Sequence, residues 1–340
     1  MGSISVSRAR APTPACQPVS SASLKLSRPS CDRRHRRCDC QCSADNRRRH
    51  RSGSDAVVVL PGFLSGSQQY ASMVANLRAK GFAAEVLPMA VSDWTPTIFR
   101  GDSFEWYLER LDAVLQACSA KHGRVALVGH SAGGWIARIL LGSEPYQGVR
   151  YGRSSMVHTL ITLGSPHQSI EAYPFGRVEE ALTGPNLDQL AAGVRGSSLQ
   201  FTNHFYPTAD SLGGGVRVVC ACGNAVRGRL LWATEGSPSS SSPNPSSSSS
   251  SIEAGSSITR LDQYFAYESY KCNCGHGEVD GDGVTPLSIA FLAGAEQLVL
   301  PGVWHNPRRK PGQIWYGDAA AMEPWLQYLH VPQGSEWSSS

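Results

Sequence analysis

A serine, an acid and a histidine that could together cleave an ester occur in this chain in a suitable order. Ser131 lies in Gly129-His-Ser-Ala-Gly133, between an apolar run and a stretch with helical periodicity. A serine at a sharp strand-to-helix turn has a strained backbone, and the residues two positions away must be small. The first turn of the following helix offers unpaired N–H groups to a developing negative charge. The pattern therefore predicts Ser131 as a nucleophile, with an ordinary glycine-rich turn as the alternative.

The partners of this serine should follow it along the chain. A serine hydroxyl becomes an effective nucleophile when a histidine takes its proton and a carboxylate orients that histidine. With this type of turn the chain order is serine, acid, histidine. Asp282, in the glycine-rich loop 281–286, is the first choice for the acid, and Asp280 is the reserve. His305, after the last apolar strand, is the predicted base, with a loop histidine of no consequence as the alternative.

The negative charge that forms during attack needs two backbone N–H donors. One usually comes from the residue after the nucleophile and the other from a loop that follows an early strand. These positions correspond to Ala132 and to Phe63, which follows Pro61-Gly62. Pro61-Gly62 is also compatible with an ordinary turn.

The elements that must position these residues alternate between strands and helices. β-branched or apolar runs predict strands over 55–60, 82–87, 124–130, 156–163 and 215–222, with a last strand from 297. Apolar residues at spacings of three and four predict helices over about 68–80, 103–120 and 319–329, and one after Ser131. We therefore expect an α/β fold with a mostly parallel central sheet and helices on both faces.

Charge and composition divide the chain into segments. Residues 1–52 hold twelve Lys or Arg and three Asp, a net charge of +9, so the remainder carries −5 of the total of +4. We expect one hydrolase domain over 53–332, with a small cap over 168–214 and a disordered Ser/Pro-rich insertion over 236–257. Residues 333–340 are expected to be a disordered tail.

The basic arm, residues 1–52, has no acidic residue before Asp32 and is rich in Ser, Pro, Ala and Arg. That composition is typical of an organelle transit peptide. The alternatives are a nucleic-acid-binding tail, or a metal site at Cys38-Asp-Cys-Gln-Cys42. No stretch approaches the roughly 20 apolar residues of a membrane-spanning helix.

Several residues outside the predicted triad allow more than one interpretation. Cys220-Ala-Cys222 and Cys272-Asn-Cys274 allow a four-thiolate zinc site or a redox-sensitive disulfide, but ordinary thiols are the default interpretation. Cys118 falls on the apolar stripe of a predicted helix and is expected in the core. His167, after a Gly-Ser-Pro turn, either lines the pocket or is a structural histidine.

Taken together, these features resemble the α/β-hydrolase superfamily, and more narrowly a plant and algal plastid group of lipase-like, inositol-deacylase-like hydrolases. The resemblance covers about residues 55–330. It rests on segments 60–67, 93–96, 103–112, 128–135, 281–286, 302–305 and 315–317. It implies the α/β-hydrolase fold, the triad Ser131, Asp282 and His305, hydrolysis of an acyl ester, and location in the chloroplast rather than the mitochondrion.

We therefore expect a serine hydrolase of the lipase or esterase type that requires no metal or cofactor. Its partner is expected to be a small-molecule ester or a lipid, with peripheral membrane contact and without nucleic acid or an obligate protein partner. A thioesterase or acyltransferase would use the same residues. The alternative from another class is a non-catalytic binding protein on a hydrolase scaffold.

Overall fold

A computed structural model describes residues 55–100, 104–170, 198–232, 258–307 and 310–331. The basic arm, the tail, the Ser/Pro-rich insertion and residues 171–197 of the predicted cap lie outside these ranges, so their predictions remain untested. Among the described residues, no helix combines the length and apolar character that crossing a bilayer requires.

Strands and helices alternate along the described chain. The strands are β1 Ala56–Leu60, β2 Ala83–Val86, β3 Val125–His130, β4 Val157–Leu163, β5 Arg217–Gly223, β6 Val226–Arg227, β7 Asp280–Gly281, β8 Glu296–Leu300, β9 Val303–Trp304 and β10 Ile314–Trp315. The helices are α1 Ala71–Ala79, α2 Thr95–Arg100, α3 Glu105–His122, α4 Ala132–Leu141, α5 Ser198–Phe205, α6 Arg260–Cys274 and α7 Ala319–Leu326. The predicted first and last helices each include a short 3-10 turn, at Ser67–Tyr70 and Gln327–Leu329.

Six of the strands form one sheet in the order β2-β1-β3-β4-β5-β8. Every neighbouring pair in this sheet is parallel. The carboxyl ends of parallel strands share one edge, so the loops after Leu60, His130, Leu163 and Gly223 meet there. The parallel sheet, with helices on both of its faces, confirms the predicted α/β fold with a mostly parallel central sheet.

The sheet separates two hydrophobic cores because its side chains alternate between faces. On β1, Val58 and Leu60 join the core that includes residues of α3, α4 and α5. Val57 and Val59 join the opposite core, which includes residues of α1 and α7. Cys118 is buried in the first core, as predicted.

Helix α6 packs outside the main sheet, next to the short antiparallel pair β6 and β7. It begins at an N-cap threonine: Thr259 Oγ1 accepts the backbone N–H of Asp262, and Asp262 Oδ2 accepts the N–H of Thr259. Tyr270 on its inner face is buried against Val226. This packing places α6 beside the loop that contains Asp282, because Tyr270 Oη accepts the N–H of Gly283 at 2.8 Å.

Candidate active site

Ser131 lies on the turn between β3 and α4 with a strained backbone. Its φ is 51° and its ψ is −124°, a conformation that non-glycine residues seldom adopt. A Cβ at Gly129 would come 2.5 Å from Gly134 Cα, and one at Gly133 would come 2.6 Å from the carbonyl oxygen of Leu60. The turn therefore excludes bulk on both sides of the serine, which is the physical reason for the glycine spacing.

The loop after β1 passes directly against this serine. A Cβ at Gly62 would lie 2.8 Å from Cβ of Ser131. The ring of Phe63 packs edge-on against Trp94, with ring centroids 5.0 Å apart. Trp94 in turn donates its ring N–H to the carbonyl of Ser65 at 2.8 Å. These contacts fix the loop that contains Phe63 beside Ser131.

The structure brings Asp282 and His305 into direct contact. Oδ2 of Asp282 lies 2.7 Å from Nδ1 of His305, and both side chains are buried. The backbone N–H of His305 donates to the carbonyl of Asp282 at 2.9 Å. Two hydrogen bonds, one from the backbone and one from the side chain, thus set the orientation of the imidazole toward the acid.

The glycine-rich loop positions Asp282 through its other carboxylate oxygen. Oδ1 accepts the backbone N–H groups of Val284, at 3.0 Å, and Thr285, at 2.7 Å. Gly283 has a φ of 97°, which permits this tight turn. Thr285 Oγ1 donates to the carbonyl of Gly164 at 2.8 Å, so the loop is attached to the end of β4.

Asp280, the reserve choice for the acid, pairs with an arginine and makes no described contact with His305. Its carboxylate is about half exposed and pairs with Arg227 on the neighbouring strand at 3.1 Å. The geometry therefore favours Asp282 over Asp280 as the partner of His305.

No hydrogen bond joins Ser131 to His305 among the described contacts, but the residue before the serine lies against the histidine. The ring of His130, which precedes the serine, lies 4.7 Å from the ring of His305. Catalytic hydrogen bonds are often long in ligand-free enzymes and tighten when substrate binds. The arrangement is therefore that of a buried acid–histidine pair beside a strained serine.

Three residues of this site have no role in the sequence-based prediction: Tyr316, His130 and Tyr70. Tyr316 Oη lies 2.6 Å from Oδ2 of Asp282, and burial together with the nearby Asp282 charge raises the pKa of this phenol well above 10.0. His130 contacts Tyr70 Oη at 2.8 Å and the carbonyl of His305 at 2.9 Å. Tyr316 lies 34 residues beyond Asp282, so no local spacing in the sequence links the two. The position of His130, directly before Ser131, is not a distinctive sequence pattern either.

His167 is buried, and both of its ring nitrogens contact other protein side chains. It is buried, with Nε2 3.0 Å from Thr162 Oγ1 and Nδ1 3.4 Å from the guanidinium of Arg138. Burial, with a smaller contribution from Arg138, lowers its pKa well below 6.5. Its ring nitrogens are therefore directed into the protein interior.

The paired cysteines are free thiols in the described part of the chain, as the default interpretation expected. Cys220 and Cys222 are buried in β5, whereas Cys272 is exposed on α6, and all the described cysteines are free thiols. No cluster of three or more metal-binding side chains occurs in the described part of the chain. β5 directs both of its cysteines into the interior, because residues two apart on a strand point to the same face.

A cleft of about 680 Å³ opens beside the acid–histidine pair. Its walls come from α6 and from the loops that contain Asp282 and His305. The lining side chains other than that pair include Asp262, Phe265, Ser269, Val284, Trp304, Asn306, Lys310 and Gln313. Phe265, Val284 and Trp304 supply apolar parts of this lining.

One family model matches part of this chain. Residues 105–175 match the family described as the PGAP1-like alpha/beta domain. This range includes α3, β3, Ser131, α4 and β4, and it ends before Asp282 and His305. No curated protein sequence matches the chain.

Among solved structures, the chain is similar to the pyrethroid hydrolase PytH, at 20% identity and a TM-score of 0.27, over 35% of this chain and 42% of that one. It is similar to Aspergillus fumigatus lipase B at 14% identity and a TM-score of 0.30, over 49% and 37% of the two chains. For a mutant of polyneuridine aldehyde esterase the identity is 15%, the TM-score 0.33, and the shares 50% and 80%. The chain thus spans less than half the length of the first two structures.

Proposed function

We propose that this chain, which has the α/β-hydrolase fold and matches the PGAP1-like alpha/beta domain over residues 105–175, is a serine hydrolase of carboxylic esters. The observation that carries the proposal is the buried contact between Asp282 Oδ2 and His305 Nδ1, beside a serine with a φ of 51°. A carboxylate accepts hydrogen bonds, so Nδ1 donates to it. Nε2 of His305 is then the nitrogen that can take a proton.

In the proposed reaction, Ser131 Oγ attacks the ester carbonyl carbon while His305 Nε2 takes the hydroxyl proton. The negative oxygen of the tetrahedral intermediate accepts hydrogen bonds from the N–H groups of Phe63 and Ala132. The intermediate then expels the alcohol, which receives the proton from His305, and the acyl group remains on Ser131. Water attacks this acyl-enzyme by the same route and releases the carboxylic acid.

We propose a lipid or another hydrophobic acyl ester as the substrate. Phe265 lines the cleft beside His305 and is 61% exposed, and Leu261, one turn earlier on α6, is 51% exposed. Exposed apolar side chains at the entrance to a site favour apolar ligands and lipid surfaces. The same two side chains therefore support peripheral membrane contact.

The test of this activity uses the full chain and a fluorophosphonate probe, together with p-nitrophenyl esters of increasing acyl length. Ser131→Ala should abolish labelling and lower hydrolysis by about 10⁴-fold or more. Ser165→Ala is the matched control, because this serine is buried at the end of the neighbouring strand β4 and should leave labelling intact. A folded wild-type protein that neither reacts with the probe nor hydrolyses any ester would make the non-catalytic scaffold the better interpretation.

Matched oxygen esters and thioesters with the same acyl group distinguish the activities that share this mechanism. An esterase should show the higher kcat/KM on the oxygen ester. A higher value on the thioester would instead support a thioesterase.

Vesicle cosedimentation tests the lipid surface. Phe265→Ser should weaken vesicle binding, whereas Phe99→Ser, at a phenylalanine that is 79% exposed and does not line the cleft, should not. Equal effects of the two variants would remove the proposed role of α6.

We also propose that the basic arm directs the protein to the plastid. The support is its composition, with twelve Lys or Arg and no acidic residue before Asp32. Residues 1–52 fused to a fluorescent protein should accumulate in chloroplasts of plant cells. Accumulation in mitochondria, or retention of the arm on the mature protein, would contradict this proposal.

A further inference from the structure

His130 connects the nucleophile strand to the loop that contains the catalytic histidine. Its side chain is buried and both ring nitrogens have partners. Nε2 lies 2.9 Å from the carbonyl oxygen of His305, and Nδ1 lies 2.8 Å from Tyr70 Oη. Tyr70 Oη in turn accepts the backbone N–H of Gly62 at 2.9 Å.

The donors and acceptors in this chain of contacts can be assigned from chemistry alone. A carbonyl oxygen only accepts, so Nε2 of His130 carries a proton and donates a hydrogen bond to the backbone carbonyl oxygen of His305. In neutral imidazole the other nitrogen is then an acceptor, so the hydroxyl of Tyr70 donates to Nδ1. The lone pairs of that hydroxyl remain available for the N–H of Gly62. Every contact is satisfied by one arrangement of protons.

Burial keeps both side chains neutral around neutral pH. Desolvation, and the neighbouring His305, lower the pKa of His130 well below 6.5. Desolvation raises the pKa of Tyr70 to about 12. The proton arrangement is therefore the same throughout the range in which a serine hydrolase of this kind would work.

The hydrogen-bonded chain joins three segments that are distant in sequence. Tyr70 and His130 are separated by 60 residues, and His130 and His305 by 175 residues. Gly62 precedes Phe63, which supplies a proposed oxyanion donor, and His130 precedes Ser131. These hydrogen bonds thus link three segments of the site. Two of the linked residues, Gly62 and His130, directly precede a proposed catalytic residue, and the third, His305, is the proposed base itself.

We propose that His130 and Tyr70 are positioning residues that hold the oxyanion loop, the nucleophile turn and the base loop in register with one another. This inference rests on the proposed ester hydrolysis, although its proton arrangement can be measured without any substrate. Neither side chain needs to touch the reacting atoms. Displacement of reacting groups by about 1 Å can lower a rate by about 100-fold, so a link of this kind should act on kcat.

The first test is Tyr70→Phe, which removes one oxygen and leaves both Gly62 N–H and His130 Nδ1 without this partner. We expect kcat on a p-nitrophenyl ester to fall by about 10- to 100-fold with little change in KM. Tyr146→Phe is the matched control. Tyr146 Oη is also buried, accepts a backbone N–H from Phe104 at 3.2 Å and contacts Ser198 Oγ at 2.8 Å. This control should lower Tm by a similar amount and leave kcat unchanged.

Two substitutions at His130 separate its two contacts. In His130→Gln the amide nitrogen reaches the position of Nε2 and can still donate to the carbonyl of His305. In His130→Asn the amide oxygen reaches the position of Nδ1 and can still accept from Tyr70. Because the Gln variant keeps the contact with the base loop, we expect it to retain the greater kcat. Because only the Asn variant keeps the contact with Tyr70, adding Tyr70→Phe should lower the kcat of His130→Asn further than that of His130→Gln.

Nitrogen NMR of the histidine side chains tests the proton arrangement without catalysis. His130 should show the neutral form protonated at Nε2 between about pH 6 and about pH 8, and Tyr70→Phe should shift its Nδ1 signal. Protonation at Nδ1, or an unchanged kcat in Tyr70→Phe with the shift present, would overturn the proposal. If the wild-type protein showed the expected tautomer yet did not react with a fluorophosphonate, the proposed activity would fail while the hydrogen-bonded chain would stand.

Discussion

Tyr316 Oη and Asp282 Oδ2 lie 2.6 Å apart in the interior of the protein. The N–H of Gly223 donates to the same phenol oxygen at 2.9 Å, so the phenol proton is directed at the carboxylate. Oδ2 thus accepts one hydrogen bond from Tyr316 and one from His305. The acid of the proposed triad is held from the side opposite to its glycine-rich loop.

We predict that Tyr316→Phe lowers both stability and activity. The variant removes a hydrogen bond to a carboxylate, which contributes about 1.5–3 kcal/mol to the free energy of unfolding. The rate of hydrolysis should fall because Oδ2 of Asp282 loses its hydrogen bond from Tyr316, which helps to keep this oxygen in place against His305. Urea denaturation and ester hydrolysis measure the two effects. Unchanged kcat in a destabilised protein would show that Tyr316 supports the fold alone.

We predict that Asp282→Asn and Asp280→Asn differ widely in activity. An amide in place of the carboxylate favours the wrong imidazole tautomer of His305, and a loss of kcat of about 10⁴-fold is expected. Asp280 pairs only with Arg227 at the surface, where such pairs contribute about 0–1 kcal/mol to stability. Its variant should remain within about twofold of wild-type kcat. The reverse order would assign the acid to Asp280.

We predict that Gly62→Ala damages the oxyanion site. The added Cβ would lie 2.8 Å from Cβ of Ser131, so the loop that contains Phe63 has to move. Loss of one oxyanion donor costs about 10²- to 10³-fold in kcat, and this is the expected size of the effect. Gly148→Ala is the control, because that glycine has a φ of 76° and open space around it. It should cost stability through backbone strain and leave kcat intact.

We predict that acid destabilises the fold through buried histidines. Burial lowers the pKa of His158 from 6.5 to about 4, and it lowers those of His130 and His167 well below 6.5. Below about pH 6.5 these histidines bind protons in the unfolded chain but stay neutral in the folded chain. The free energy of unfolding therefore falls as pH falls. Each histidine contributes up to about 1.4 kcal/mol per pH unit until it titrates in the folded state.

Urea denaturation at about pH 7 and about pH 5 measures this loss. His158→Gln should reduce the loss because it removes one of the three groups. Stability that stays constant or rises on acidification would contradict the prediction.

We predict that the C-x-C cysteines differ in reactivity. Burial and the nearby Asp282 carboxylate raise the pKa of the Cys222 thiol well above 9.0, and the thiolate is the reactive form. Cys272 is exposed. Alkylation of the native protein followed by peptide mapping should modify Cys272 and spare Cys220 and Cys222. A disulfide that links the two pairs would appear instead as a cross-linked peptide.

Much of the fold could be predicted from the sequence because its signals are local. The apolar run before Ser131, the flanking glycines and the helical spacing afterwards each depend on a few neighbouring residues. The element boundaries move by only a few residues, as in α3, which was predicted over about 103–120 and is Glu105–His122. For the cysteines, the C-x-C spacing left a zinc site and a disulfide open beside the default of ordinary thiols, because spacing does not reveal that β5 buries Cys220 and Cys222.

The sequence by itself determined the sheet, the nucleophile turn and the chain order of a serine, an acid and a histidine, since periodicity and turn chemistry act over short distances. Only the tertiary structure decided that Asp282, and not Asp280, contacts His305. It also decided that Tyr316 contacts Asp282 and that His130 contacts Tyr70 and His305. Those contacts join residues 34, 60 and 175 positions apart, which meet because parallel strands bring their carboxyl ends to one edge of the sheet.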